Sequence, residues 1–163
     1  MTPPFLIITS NWHINHAIRI ALGDIYGNIV PFQDGLLTVK QPCLMAGLWY
    51  DNPWTRDASI NTWNGAGLIA AQAAKNTLLS VLRTVNGEIQ VGGQYWDRII
   101  WVIGAWQYYL YSGDRDFLAL AFAAARATMT QHERDYFDRE YGLFRGEACF
   151  HDGISAYPDR YVA

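Results

Sequence analysis

The chain reads as an all-α protein built from helical hairpins. Four long segments carry apolar residues at three- and four-residue steps, the spacing of one helix face. No stretch sustains the alternation of a half-buried strand, with Glu88 to Val91 the nearest approach to one. At 163 residues and 51% apolar composition, residues 1–163 amount to one domain with a sizeable core and no second domain.

The first helix is expected from about Asn11 to Asn28, with Trp12, Ala17, Ile18, Ala21, Leu22, Ile25 and Ile29 along its apolar stripe. The second is expected from about Asp57 to Leu82. Pro53 biases Asn52 away from the helical region, and Asp57 or Ser59 can cap the first turn. Its early part, from Ala58 through Trp63 and Gly65 to Ala74, is small or apolar on nearly every side, so it needs neighbours on both flanks. The third helix, from about Trp96 to Tyr111, carries Ile99, Ile100, Val102, Ile103, Trp106, Tyr109 and Leu110. Ser112-Gly113-Asp114 then supplies a stop, a turn and a new N-cap. The fourth, from Arg115 to about Phe137, shows Phe117, Leu118, Ala121, Phe122, Ala125 and Met129.

Two connectors, Val30 to Tyr50 and Arg83 to Tyr95, are too long for simple turns, and such loops often carry function. A second helix of about 26 residues would be roughly 39 Å long. A connector of about 12 residues spans roughly 40 Å when extended. It can therefore return Trp96-Asp97-Arg98 to the end where Trp54-Thr55-Arg56-Asp57 begins. The short Ser112 to Asp114 turn makes the fourth helix antiparallel to the third, so the tail from Tyr141 to Gly153 reaches the same end. Three polar-aromatic clusters converge on one rim.

Composition narrows the partners. A net charge of -3 gives no basic footprint for nucleic acid. Lys40 and Lys75 are the only lysines, which argues against a polybasic membrane anchor, and no uncharged apolar run reaches the roughly 18 residues of a span. Met1 to Ser10 lacks a basic leader region, so a cytoplasmic location is expected. Cys43 and Cys149 match neither a disulfide framework nor a metal motif and read as ordinary thiols. His13 and His16 lie one turn apart without a third ligand, so no metal and no cofactor are expected.

Within Trp54-Thr55-Arg56-Asp57, a flat aromatic, a forked donor and a carboxylate sit at a helix start. Together they can stack on and hydrogen-bond a neutral polyhydroxylated ligand, a sugar, although adjacent Arg and Asp also suit a surface ion pair. Asp97-Arg98 repeats the theme, either as ligand contacts or as a carboxylate favoured by a helix N-terminus. Glu147 and Asp152 are the carboxylates of an apolar, Gly-punctuated loop. Desolvation by Phe144, Cys149 and Phe150 would raise a carboxyl pKa, as a general acid near neutral pH requires.

The order of these motifs resembles the six-hairpin glycosidases. Trp54-Thr55-Arg56-Asp57-Ala58-Ser59 is similar to the Trp-Thr-Arg-Asp-Ser segment of glucoamylases and to the Trp-Gly-Arg-Asp of glycogen-debranching glucosidases. Tyr108-Tyr109-Leu110-Tyr111-Ser112-Gly113-Asp114 resembles the group's hairpin turn, and Gly142 to Asp152 falls where the group places its acid loop. The resemblance implies an (α/α)6 toroid of twelve helices, of which this chain would hold about four. It implies that Arg56 and Asp57 hold the non-reducing terminal sugar of an α-glucoside or related glycan; the residues themselves add Trp54, Trp96 and Asp97 as further expected sugar contacts. Asp152 ranks ahead of Glu147 as the acid of an inverting hydrolysis.

Against glucoamylases the third motif departs, since Phe144 would align with a Trp and Arg145 or Gly146 with the acid. The relatives' catalytic base falls beyond Ala163, so the chain is expected to be an N-terminal part of a catalytic domain. Its second helix should then leave an apolar flank open to self-association. The alternatives are a non-catalytic carbohydrate-binding protein and a helical interaction scaffold.

Overall fold

The computed structural model describes residues 7–145. Its elements are α1 (Trp12–Gly27), β1 (Ile29–Phe32), β2 (Gln41–Leu44), α2 (Thr55–Asn61), a π turn (Thr62–Ala66), the single turn α3 (Gly67–Ile69) and α4 (Ala71–Ser80). There follow β3 (Leu82–Val85), β4 (Glu88–Val91), α5 (Tyr95–Ser112), α6 (Arg115–Tyr136), β5 (Phe137–Asp138) and β6 (Leu143–Phe144). The strands form three separate two-stranded antiparallel sheets. The chain is therefore mixed α and β, and the all-α expectation, with its toroid of helical hairpins, is overturned.

Both long connectors owe their shape to these hairpins. In the second, Asn86 and Gly87 take φ of 51° and 82°, the two left-handed positions of a tight turn whose twist suits the strands it joins. Leu82 then faces Val91, and Val85 faces Glu88. In the first, Ile29 pairs with Leu44 and Phe32 with Gln41.

The larger correction concerns the second helix, which is folded in two. After α2 the backbone passes through Gly65 at φ 145° and then Ala70 at φ -138°, ψ 47°, neither of them helical. The chain reverses there, and α4 returns beside α2. Apolar side chains on all faces, read as one helix buried all round, are shared between two antiparallel pieces that bury each other. The 39 Å span never arises, because Gly92 N donates to Val81 O at 2.8 Å and Thr55 Oγ1 donates to Gly92 O at 2.9 Å.

Around this fold the helices stack closely. Along α2 and α5 the contacts advance together: Thr55 meets Gly92, Arg56 meets Asp97, and Ser59 Oγ donates to Ile100 O at 2.6 Å. The two helices thus run in the same direction. Gly104 N donates back to Ser59 Oγ at 2.9 Å, and a Cβ on Gly104 would fall only 2.5 Å from Ser59 Cα. α4 and α6 run the other way on either side of α5. Trp101 Nε1 donates to Leu78 O at 3.1 Å, and Thr128 Oγ1 accepts from Val91 N at 2.9 Å. The main core gathers Ala58, Leu78, Leu82, Val91, Trp101, Tyr108, Phe117 and Ala124. A smaller cluster of Leu44, Ala66 and Ala74 takes in Ile25 and Ile29, while Tyr26 OH ties α1 to Ile69 O at 2.7 Å.

The first helix uses only part of its expected stripe. Leu22 is buried, whereas Trp12 remains exposed. On α5, Val102, Ile103, Trp106 and Leu110 are exposed, as is Phe122 on α6. No helix among the described residues is long and apolar enough to cross a membrane.

The turn between α5 and α6 is anchored to α4. Asp114 caps α6 by accepting from Phe117 N at 3.0 Å, and its other oxygen meets Lys75 Nζ at 2.6 Å. The Lys75 bond, then the Phe117 amide, hold the Asp114 carboxyl below its ordinary 3.8. The same bond raises the Lys75 ammonium above 10.5.

Two outcomes follow from this packing. Gly104→Ala should lower stability by about 2 kcal/mol, because the added methyl meets backbone that cannot yield; chemical denaturation of the purified variant measures it. For the Lys75–Asp114 pair, a lowered carboxyl stabilises above its unfolded value and loses that contribution as pH falls through its folded value. The raised ammonium behaves in the mirror sense at high pH. The melting-temperature gap between wild type and Lys75→Met should therefore be flat between the two ordinary values, 3.8 and 10.5, shrink as pH falls below 3.8 and shrink again as pH rises above 10.5.

Candidate functional site

The start of α2 is held from two sides. Trp54 is the N-cap residue, in extended conformation and without a side-chain cap bond, so neither Asp57 nor Ser59 caps this helix. Asp57 instead lies in the first turn, where a carboxylate complements the exposed amides. Thr55 is buried and fixes the turn to Gly92, while Gly93, at φ 101°, leaves no room for a Cβ beside the Thr55 side chain. These contacts bring the first turn of α2 against the first turn of α5.

Above this junction opens a cleft of about 240 Å³ lined by Ala46, Tyr50, Trp54, Arg56, Asp57 and Gln94. Trp54 is 42% exposed and lines the opening. Arg56 is mostly covered, with a side-chain exposure of 15%, and its Nε lies 4.0 Å from Asp97 Oδ1. Asp97 itself is only 3% exposed. It lies behind Arg56 and does not line the cleft. The opening thus presents an aromatic plane, a forked cation backed by a buried carboxylate, and a second carboxylate on the same helical turn. Such a set can stack on a ring and exchange hydrogen bonds with neighbouring hydroxyls.

Trp96, expected among the same group, sits elsewhere. It belongs to a closely packed seam with Ile99, His132, Tyr136, Phe144 and Arg145. β5 and β6 create that seam: Phe137 pairs with Phe144, their rings 5.1 Å apart, and Arg145 N donates to Tyr136 O at 2.7 Å. The end of α6 and the segment that follows therefore reach the first turn of α5, one residue from Asp97. Glu147 and Asp152 lie outside the described residues, as do Cys149, Phe150 and His151.

Tyr50 and Gln94 join the cleft without having been singled out as contacts. Tyr50 opens the very run that carries Trp54 and Arg56, and Gln94 is the N-cap residue of α5. The pairing of one with the other depends on the fold-back of the second helix, which no local spacing announces.

Other reactive groups are occupied structurally. Burial pushes the Cys43 thiol up to about 11, with a smaller opposing effect from the Thr77 hydroxyl, so it is protonated and unreactive near neutral pH. His16 stacks on Trp12 with centroids 5.2 Å apart. Among the described residues, no three His, Cys, Asp or Glu side chains gather closely enough to hold a metal ion. Comparison with protein-family models, with curated proteins and with solved structures returns no match.

Asp97→Ala takes a nearly buried carboxylate away from the mostly covered Arg56 guanidinium. Asp97→Ala should cost about 2 kcal/mol in chemical denaturation, less than opening a fully buried pair because Arg56 keeps some access to water.

Proposed function

We propose that the Trp54–Arg56–Asp57 cleft binds the terminal sugar of a glycan, and that the chain is part of a glycoside hydrolase domain acting on the non-reducing end of an α-glucoside or related substrate, with a catalytic base that this chain does not supply. The observation that carries this reading is the cleft itself. Three residues close in sequence share one small, solvent-open wall, and the cation among them is backed by Asp97. A scaffold role would not require Trp54, Arg56 and Asp57 to face a common opening.

In this reading Trp54 stacks on the apolar face of the sugar ring, which carries axial hydrogens and no charge. Arg56 donates to ring hydroxyls and Asp57 accepts from them, so a neutral polyol satisfies both without bringing a counter-ion. Asp97 keeps the guanidinium oriented and lowers the entropy that binding must remove. The similarity of Trp54-Thr55-Arg56-Asp57 to the sugar-holding segment of glucoamylases supports the same assignment. Hydrolysis then requires a protonated carboxyl at the glycosidic oxygen. Asp152, and after it Glu147, are the candidates for that general acid, while a base that this chain does not supply would take the proton of the water attacking the opposite face of the sugar.

Calorimetric titration with glucose, maltose and rhamnose tests the binding step. At least one sugar should bind with a millimolar or tighter Kd, and Arg56→Ala should weaken it by at least tenfold, about 1.4 kcal/mol. Equal affinity in wild type and variant would remove Arg56 from the site.

A further inference from the structure

The loop that supplies Ala46 and Tyr50 to the cleft also carries the most exposed large apolar side chain among the described residues. Trp49 is 94% exposed, and Leu48 beside it is 77% exposed. A short turn, in which Tyr50 N donates to Gly47 O at 3.2 Å, sets this pair at the tip of the loop. The Gly47 position lies against the Tyr50 ring, so the turn is fixed to a cleft-lining residue.

An indole left in water forgoes the burial that normally stabilises so large a ring, and aromatic rings held at a surface beside a polar opening are suited to a partner with both apolar and polar edges. The cleft's size gives such a partner a place. At about 240 Å³ it falls below the roughly 300 Å³ at which pockets for drug-sized ligands begin, so it suits a single sugar ring. The remaining units of a longer glycan must leave across the rim. Ala46 and Tyr50 line the cleft, and Trp49 precedes Tyr50 in the turn closed by the Tyr50 N to Gly47 O bond.

On the sugar-binding reading of the cleft, we infer that Trp49 is the stacking platform for a second sugar unit, so that the site selects an oligosaccharide over a monosaccharide. Trp54 takes the terminal ring and Trp49 takes the next, each through the ring face, while Arg56 and Asp57 supply the hydrogen bonds that fix the terminal unit. Leu48 lies next to Trp49 and gives the platform an apolar border.

Titration of wild type, Trp49→Ala and Arg56→Ala with glucose and maltotriose separates the two claims. The expected pattern is that Trp49→Ala weakens maltotriose about tenfold and leaves glucose unchanged, whereas Arg56→Ala weakens both. Trp49→Phe, which keeps a ring, should recover most of the maltotriose affinity. If Trp49→Ala binds maltotriose as wild type does, or loses glucose and maltotriose equally, the platform is disproved while the cleft assignment stands on Arg56→Ala. If Arg56→Ala changes neither sugar, the cleft reading itself fails and the platform fails with it. Far-ultraviolet circular dichroism of each variant confirms that an exposed-residue change has left the fold intact.

Discussion

The close approach of α2 and α5 at Ser59 and Gly104 is the constraint on which the rest depends. Ser59 is wholly buried, and its hydroxyl donates to Ile100 O while accepting from Gly104 N. That single oxygen links two backbones that only a glycine lets come so near. Because the helices run in the same direction, contact at Ser59 sets contact one turn earlier, where Arg56 meets Asp97. The candidate site is therefore a consequence of packing. Its charged pair sits where the core has already brought two helix starts together.

The parallel course of α2 and α5 is possible only because the chain folds back between them. The reversal at Gly65 to Ala70 lets α4 run antiparallel to both, and its end at Ser80 lies near the start of α2. The β3–β4 hairpin then turns the chain for α5 without crossing the molecule. Gly92 closes this circuit, its amide donating to Val81 O and its carbonyl accepting from Thr55 Oγ1. The same economy holds at the other end. Asp114 caps α6 and ties it to Lys75 of α4, so both ends of the helix stack are pinned by a short polar contact.

Much of this was legible where a local signal exists. The first, third and fourth helices lie within about two residues of their expected limits, because Asn11 and Asp114 are caps that accept from amides of the following turn. Gly113, at φ 68°, ends α5 as the Ser-Gly-Asp turn suggests. The β3–β4 hairpin has a local signal too: Asn86-Gly87 between Val85 and Glu88 is a strong hairpin turn, although strands of four residues on either side are too short for a sustained alternation. The fold-back was not readable in the same way. Its apolar run fits one buried helix and two mutually burying ones equally well, and only tertiary contacts distinguish them. At the site, Trp54, Arg56 and Asp57 share a helical turn and so were found together. Asp97 was found as a neighbour but is buried behind Arg56, and Trp96 belongs to the seam with His132. Tyr50 and Gln94 come from distant loops that the fold-back unites.

The central claim is that a sugar binds at the joined starts of α2 and α5. The most direct measurement is a nuclear magnetic resonance titration of indole-labelled protein with maltose. The Trp54 indole signal should shift in proportion to occupancy, while that of Trp101, fully buried and bonded to Leu78, stays fixed. Shifts centred on Trp106, on the exposed face of α5, or no shift at Trp54 at saturating sugar, would contradict the account.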